Sequence, residues 1–156
     1  MSLSPGTLVL VGGVGILLRG PAGSGKSDTA LALIHAGHRL VADDAVDIRH
    51  EDGGLVGRAP AAGAGLLCLR GPGLIDVVQC FGRGAVAPSA PIDRVVDLVD
   101  EPRSVTAEAD WQSTRIHGAR CPRMALAPGR PLAALLEVIA AGSPTASPRP
   151  EPLTCG

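Results

Sequence analysis

Aromatic side chains are almost absent from this 156-residue sequence, which contains one Phe, one Trp and no Tyr. The core must therefore be built from Val, Leu, Ile and Ala, within an apolar fraction of 46%. Positive charge is not in excess either, because 14 Lys and Arg face 15 Asp and Glu, for a net charge of −1. Nucleic-acid binding is not favoured, since it needs clustered cations for the phosphates and aromatic rings for base stacking.

Long apolar runs and metal-type cysteine spacings are also missing. No stretch reaches the ~18 consecutive apolar residues of a membrane span. The first residues lack the charged region of a signal peptide, so the expected location is the cytoplasm. The four cysteines, Cys68, Cys80, Cys121 and Cys155, form no CxxC pair and have no histidine at zinc spacing. We expect free thiols in a reducing compartment rather than disulfides or a zinc site.

What the chain does have is a glycine-rich loop between an apolar run and a helix-like run. The loop has the Walker A pattern, and its candidate nucleotide-binding residues are Gly20, Pro21, Ala22, Gly23, Ser24, Gly25, Lys26, Ser27 and the following Asp28. The backbone N–H groups of such a loop curl around one anion at a helix N-terminus. Lys26 can reach the β- and γ-phosphates, and the Ser27 hydroxyl can bind Mg²⁺. The alternative is a glycine-rich turn that matches by accident.

The patterns around this loop predict a compact α/β domain. Two β-type runs, 7–11 and 14–19, are separated only by Gly12-Gly13 and predict a hairpin before the loop. Further elements are predicted in chain order: a helix from 27 that stops near Gly37, a strand at 38–42, a hairpin at 45–57, a strand at 66–69, a short helix at 74–80, strands at 94–99 and 116–126, and an amphipathic helix at 131–141. Residues 101–113 are expected to form a flexible connection. The prediction is a compact α/β P-loop domain over 1–141 with a mixed central sheet, an N-terminal hairpin and a C-terminal helix, followed by a Pro/Ser-rich disordered tail over 142–156.

Two acids and one arginine are candidates for phosphoryl-transfer chemistry. Asp43 and Asp44 follow a predicted buried strand, as a Walker B acid does. One carboxylate could help hold Mg²⁺ and the other could accept a proton from an attacking hydroxyl. The alternative is a cap and turn pair after a strand. Arg70, in Arg-Gly-Pro-Gly, could stabilise the transferring phosphoryl group or could belong to a surface turn.

Several longer blocks carry a family resemblance. The loop and its helix are followed by Gly-His-Arg-Leu-Val-Ala-Asp-Asp-Ala-Val at 37–46; further blocks lie at 56–60, 69–76, 81–86 and 128–131, the last reading Pro-Gly-Arg-Pro. Over about 6–141, this set resembles the catalytic domain of bacterial HPr kinase/phosphorylase, in the short form with the kinase domain alone. The resemblance implies a serine kinase that uses ATP and Mg²⁺ to phosphorylate HPr, the phosphocarrier of the sugar phosphotransferase system. It also implies the reverse phosphorolysis by inorganic phosphate, and a homohexamer in which a neighbouring subunit helps bind HPr.

The resemblance also implies roles for individual residues. Asp43 is the general base toward the serine hydroxyl, and the acid in the reverse reaction. Asp44 supports the metal site, and Arg70 lies at the active site, in the family's signature loop. The expected alternatives are a related P-loop kinase for another protein or a small molecule, and a non-catalytic nucleotide-binding regulator.

Four positions or stretches depart from the family pattern. Cys68 stands where the family commonly has a magnesium-binding Glu, and Pro5 where it has a His near the catalytic acid. Asp28 replaces a Glu, which is a mild change. Between Val99 and Ile116 the usual basic loop is not clear, although Arg103 or Arg115 could stand in for it.

Overall fold

The computed structural model describes residues 2–102 and 107–144 and has a mixed α/β architecture. Its elements in chain order are β1 (Leu3–Pro5), β2 (Thr7–Val11), β3 (Val14–Arg19), α1 (Lys26–His35), β4 (Arg39–Ala42), β5 (Ala45–Glu51), β6 (Gly54–Arg58), β7 (Leu66–Leu69), β8 (Gly73–Asp76), α2 (Val77–Phe81), β9 (Ala90–Pro91), β10 (Arg94–Asp97), β11 (Gln112–Ile116), β12 (Ala119–Ala125) and α3 (Leu132–Ala141). Single 3₁₀ turns lie at Ala61–Gly63 and Arg83–Ala85. No helix among the described residues is long and apolar enough to cross a bilayer.

The central sheet has six strands in the order β11-β12-β10-β3-β2-β4. It is mixed, because β10 runs parallel to β3 and β12 whereas β2 runs antiparallel to β3 and β4. The predicted hairpin before the glycine loop is confirmed as β2–β3, with Val11 opposite Val14. The mixed sheet and the C-terminal helix are confirmed as well.

A second, four-stranded antiparallel sheet in the order β1-β5-β6-β9 packs against the first. Adjacent residues of each central strand point to opposite faces of the sheet. Thus Val9 and Leu18 pack with α1 and α3, while Leu8 and Leu17 pack in the layer between the sheets. The two sheets approach closely at Gly57, where a β-carbon would lie 2.5 Å from Leu8 Cδ2. A side chain at this position would push the layers apart.

The chain crosses from one sheet to the other at two neighbouring points. Ala42 still pairs with Leu8 in the central sheet, whereas Ala45 pairs with Pro5 in the second sheet. Asp44 has a left-handed backbone, with φ 69°, at this crossover. Its carbonyl accepts a hydrogen bond of 3.1 Å from the N–H of Gly6, the residue at the other crossover. The two crossovers therefore hold each other beside the first residues of β2.

Some boundaries differ from the sequence-based expectations. Residues 74–80 are not one helix, because Gly73–Asp76 pairs with Leu66–Leu69 as a strand. The helix begins only at Val77, after Asp76, whose carboxylate caps it by accepting from the Gln79 N–H at 3.1 Å. The short strands β1 and β9 were not expected from the sequence.

The C-terminal half of the central sheet also differs from expectation. Gln112 and Ser113 were assigned to a connection but form the start of β11. Gly118 lies in the turn between β11 and β12, and Pro122 lies inside β12 rather than breaking it. Pro122 is tolerated because the pairing of β12 with β10 begins at the next residue. Of the expected connection at 101–113, residues 103–106 lie outside the described residues, as does the predicted tail from 145 onward.

Candidate active site

The glycine loop connects the central strand β3 to the first residue of α1. Gly25, at φ 99°, precedes the helix, and its carbonyl accepts the Thr29 N–H at 2.9 Å. A β-carbon at Gly20 would lie 2.7 Å from Ser24 Oγ, so this position has no room for a side chain. The first turn of α1 therefore directs its free N–H groups towards the space enclosed by the loop.

Lys26 is folded back over this loop. Its ammonium donates hydrogen bonds to the carbonyl of Gly20 at 2.6 Å and to that of Pro21 at 3.1 Å. Lys26 is half-buried, at the edge of a cavity. The positive charge is thus held at the loop, where a phosphate oxygen can replace either carbonyl.

Ser27 and Asp43 meet beside the loop. The Ser27 hydroxyl lies 3.1 and 3.0 Å from the two carboxylate oxygens of Asp43. The Thr7 hydroxyl donates to the same carboxylate at 2.8 Å, and the Cys68 N–H donates at 3.3 Å. Thr7 of β2, Ser27 of α1 and Cys68 of β7 together hold this carboxylate in one position.

A cavity of about 300 Å³ gathers most of the residues that the sequence singled out. Its lining consists of Ala22, Gly23, Gly25, Lys26, Ser27, Asp28, Asp43, Asp44, Cys68 and Arg70. Gly20, Pro21 and Ser24 complete the loop without lining this cavity. Arg70 is exposed at its rim, and its guanidinium lies 3.7 Å from where a Gly23 β-carbon would be. The stretches around Ser27, Asp43 and Arg70, distant in sequence, thus face one space.

The two acids differ in their surroundings. Asp43 is half-buried and accepts three side-chain or backbone donors, whereas Asp44 is exposed. Hydroxyl and carboxylate oxygens are donors that suit Mg²⁺. The oxygens of Ser27, Asp43 and Asp44 therefore fit the ion by donor type. No cluster of three or more His, Cys, Asp or Glu side chains arranged for a metal occurs within residues 2–102 and 107–144.

Cys68 belongs to this cavity by position, although its side chain is a thiol. Both Cys68 and Cys80 are exposed free thiols, and Cys121 is a buried free thiol. The expectation of free thiols is confirmed for these three, while Cys155 lies outside the described residues. Burial raises the pKa of the Cys121 thiol, which keeps it protonated.

An ion-pair network supports the strand that enters the loop. Arg19, the residue before Gly20, donates to Asp97 at 2.7 Å, and Arg123 donates to the same carboxylate at 2.6 Å. Arg123 also binds Glu101 at 2.7 Å. Burial alone would raise the pKa of Asp97, but the hydrogen bonds from Arg19 and Arg123 outweigh it and lower this pKa. The network ties β3, β10 and β12 together directly below the loop.

Sequence reasoning missed two groups of supporting residues. Thr7, fully buried, reaches Asp43 across 36 residues of sequence. The Asp97 carboxylate pairs with Arg19 across 78 residues of sequence and with Arg123 across 26. A buried-strand acid such as Asp97 was the one available signal, since an isolated charge is not buried without a partner.

These features define a class. The parts of a P-loop phosphate-binding domain are all present. They are a glycine loop between a central strand and a helix, a lysine over that loop, and a carboxylate hydrogen-bonded to the serine that follows the lysine. The family model for the HPr serine kinase C-terminal domain matches residues 2–147. The chain belongs to this family, as its sequence blocks predicted.

Relatives and a solved structure agree with this assignment. The HPr kinase/phosphorylase of Geobacillus thermodenitrificans is 44% identical over 141 residues, which cover 86% of this chain and 46% of that protein. The HPr kinase/phosphorylase of an Exiguobacterium species is 42% identical over 146 residues, or 90% of this chain and 47% of that protein. The chain thus spans about half the length of these curated relatives. The structure of the Hpr(Ser) kinase/phosphatase from Coxiella burnetii superposes with a TM-score of 0.78 at 29% identity, covering 90% of this chain and 89% of that one.

Proposed function

We propose that this domain transfers the γ-phosphoryl group of ATP to a serine of an HPr-type phosphocarrier protein, with Mg²⁺ as cofactor. The observation that carries the proposal is the hydrogen-bonded pair of Ser27 and Asp43 in the cavity beside Lys26. Matched relatives named HPr kinase/phosphorylase support the choice of substrate. Reverse phosphorolysis by inorganic phosphate is part of the same proposal.

The proposed mechanism uses groups that already face one cavity. Loop N–H groups and the Lys26 ammonium bind the phosphate chain and orient it. Asp43 accepts the proton of the attacking serine hydroxyl, and Thr7 and the Cys68 N–H hold its carboxylate in position. Arg70, at the rim, stabilises negative charge on the group being transferred.

Magnesium is assigned by the chemistry of the oxygens present. Ser27 and Asp44 are the proposed ligands, because both line the cavity and offer the oxygen donors that Mg²⁺ prefers. When bound, Mg²⁺ neutralises charge on the phosphate oxygens. Asp43 then remains available to the serine proton.

A labelling experiment tests this function. The full chain, HPr, Mg²⁺ and γ-labelled ATP are incubated together, with HPr lacking its target serine as the control. We expect label on HPr serine with wild-type protein and none with Lys26→Ala. Wild-type protein that leaves HPr unlabelled while binding ATP would rule out this function and leave the kinase for another substrate or the regulator.

Cys68 favours a second candidate, a nucleotide-binding regulator without transfer activity. The thiol stands in the cavity where a carboxylate would offer an oxygen ligand. Under this alternative ATP binds with Mg²⁺ but no phosphoryl group is transferred. Pro5, at the crossover beside Asp43 and Asp44, favours the same alternative, because it offers no proton-transfer group.

Assembly and location complete the proposal. The family resemblance supports a homo-oligomer, a hexamer, in which a neighbouring subunit contributes to HPr binding. The use of ATP and of a phosphocarrier protein supports a cytoplasmic location. Sedimentation of the full chain measures the assembly, and a monomer at micromolar concentration would contradict it.

A further inference from the structure

The cavity lined by Lys26, Ser27 and Asp43 is called the phosphate cavity below. A second cavity adjoins it on the other side of the glycine loop. It has a volume of about 340 Å³ and lies between the N-terminal half of α1 and the segment that links β12 to α3. It shares Gly25 and Asp28 with the phosphate cavity. Its volume lies within the ~300–1,000 Å³ typical of small-molecule sites. The two cavities therefore form neighbouring compartments around one loop.

The walls of this second cavity are small and mostly apolar. Ala32 projects from α1, and Pro131, Ala133 and Ala134 face it from the start of α3. Leu132 brings this wall close to the loop, because its Cδ1 lies 3.9 Å from where a Gly25 β-carbon would be. Small side chains on both walls leave space for a ring system between them.

Two charged side chains flank the apolar walls. Arg130 and Asp28 both line the cavity and both are exposed. A guanidinium stacks on the face of a planar ring, and a carboxylate accepts hydrogen bonds from hydroxyl or amino groups. This combination suits a heteroaromatic base attached to a sugar, which has a flat apolar face and polar edges.

The arrangement of the site gives a direction to the phosphate chain. Asp43, Cys68 and Arg70 lie in the phosphate cavity and do not line the second one. The phosphoryl group that is transferred must be at the Asp43 end, so the rest of the nucleotide leaves the loop elsewhere. A cavity beside Trp111 and another beside His117 share no residue with the phosphate cavity. The second cavity is contiguous with it.

We propose that the second cavity binds the nucleoside of the nucleoside triphosphate, with Arg130 stacked on the base and Ala32 opposite the α3 wall. The inference rests on the proposed function to the extent that the glycine loop binds a nucleotide. It adds that residues 129–134, remote in sequence from the loop, determine how strongly the nucleoside contributes to binding. Arg130 thereby becomes a nucleoside-binding residue rather than a structural one.

Two ligands distinguish the contribution of the nucleoside to binding from that of the phosphates. Calorimetry on the full chain with Mg²⁺ compares a non-hydrolysable ATP analogue with inorganic tripolyphosphate, which has the phosphates alone. Ala32→Phe fills the cavity from an exposed helix position, and Ala141→Phe places the same ring at an exposed position of α3 away from it. Arg130→Ala removes the stacking cation without adding volume.

We expect Ala32→Phe to reduce the affinity for the ATP analogue to about that for tripolyphosphate, because it removes the burial of the base. Arg130→Ala is expected to weaken binding of the ATP analogue about five-fold, as the loss of one cation–ring contact does. Neither variant should change tripolyphosphate binding, and Ala141→Phe should change neither ligand.

The outcomes distinguish this inference from the proposed function. Wild-type affinity of both cavity variants for the ATP analogue would overturn the nucleoside site while leaving ATP binding intact. If a cavity variant weakens binding of the ATP analogue and of tripolyphosphate equally, the nucleoside site is also overturned, because the variant would then act on the glycine loop. If wild-type protein binds the ATP analogue no more tightly than tripolyphosphate, the nucleoside makes no contact and the inference is overturned. Absence of any nucleotide binding would overturn both proposals together.

Discussion

The Ser27 hydroxyl lies 3.0 Å from a carboxylate oxygen of Asp43, although 16 residues separate them in the chain. Asp43 follows β4, and Ser27 is the second residue of α1, so the contact joins the strand and helix on either side of Gly37. This contact makes Asp43, rather than Asp44, the acid nearest to the loop serine. It divides the two neighbouring acids into one that is held and one that is exposed.

Variants that neutralise Asp43 or Asp44 should lose activity for different reasons. Asp43→Asn is expected to reduce phosphoryl transfer by about 10³-fold, because it removes the proposed proton acceptor, while leaving nucleotide affinity nearly unchanged. Asp44→Asn is expected instead to raise the Mg²⁺ concentration needed for half-maximal activity. Labelled-HPr assays over a Mg²⁺ titration measure both effects. Substantial turnover by Asp43→Asn would contradict its role as the base.

Thr7 is expected to act as a positioning residue for Asp43. Its hydroxyl donates at 2.8 Å and the residue is fully buried. Thr7→Val keeps the side-chain shape but loses the donor, so we expect kcat to fall about ten-fold with little change in KM for ATP. Thr7→Ser, which keeps the hydroxyl, should restore most of kcat. Equal loss in Thr7→Val and Thr7→Ser would point to packing instead.

Cys68 offers a gain-of-function experiment. Cys68→Glu places a third carboxylate beside Asp43 and Asp44, so we expect a lower Mg²⁺ requirement for transfer. Cys80→Glu is the matched control, since Cys80 is another exposed free cysteine that does not line the cavity. Transfer that appears only in Cys68→Glu would favour the regulator for the natural chain. An unchanged Mg²⁺ requirement would show that position 68 does not reach the metal.

The Asp97 network makes a prediction about stability and pH. Asp97→Asn leaves Arg19 and Arg123 without their shared, largely buried acceptor, which should cost about 2–4 kcal/mol in the free energy of unfolding. The folded-state pKa of Asp97 is lowered, so its contribution is fully present above the unfolded value of about 3.9. This contribution is lost as pH falls through the folded pKa.

Urea unfolding at pH 7 and at several lower pH values measures this effect. The stability difference between wild type and Asp97→Asn should narrow only below about pH 4. Glu51→Gln is the control, because the Glu51–Arg58 pair joins two half-exposed side chains and is screened by water. A difference that narrows already between pH 7 and pH 5 would contradict the assignment to Asp97.

Local sequence patterns were sufficient for the parts of the fold that involve neighbouring residues. Gly12-Gly13 between two β-type runs determines the β2–β3 hairpin, and the glycine loop with Lys26 determines the start of α1. Residues 74–76 were misassigned to a helix because a short apolar run fits a strand or a helix equally well. Their pairing with Leu66–Leu69 decides between the two, and pairing is not visible in one segment.

The site was predictable in its residues but not in its contacts. The Walker A pattern and the paired acids identified Lys26, Ser27 and Asp43 from residue type and spacing alone. The contact of Thr7 with Asp43 and the position of Arg130 at the second cavity depend on how the sheets and helices pack, and neither has a local sequence pattern. The division between a held Asp43 and an exposed Asp44 arises from the crossover between two sheets, which the sequence does not reveal.

The Lys26 ammonium already occupies two acceptors of its own loop, the carbonyls of Gly20 and Pro21. Arrival of a phosphate is therefore an exchange of partners rather than the capture of a free cation. The curvature of the loop is held by its own backbone, including a hydrogen bond of 3.1 Å from the Ser24 N–H to the Pro21 carbonyl, so little conformational entropy is lost when an anion enters. The affinity gained from Lys26 is then only the difference between phosphate and carbonyl oxygens as acceptors of its hydrogen bonds.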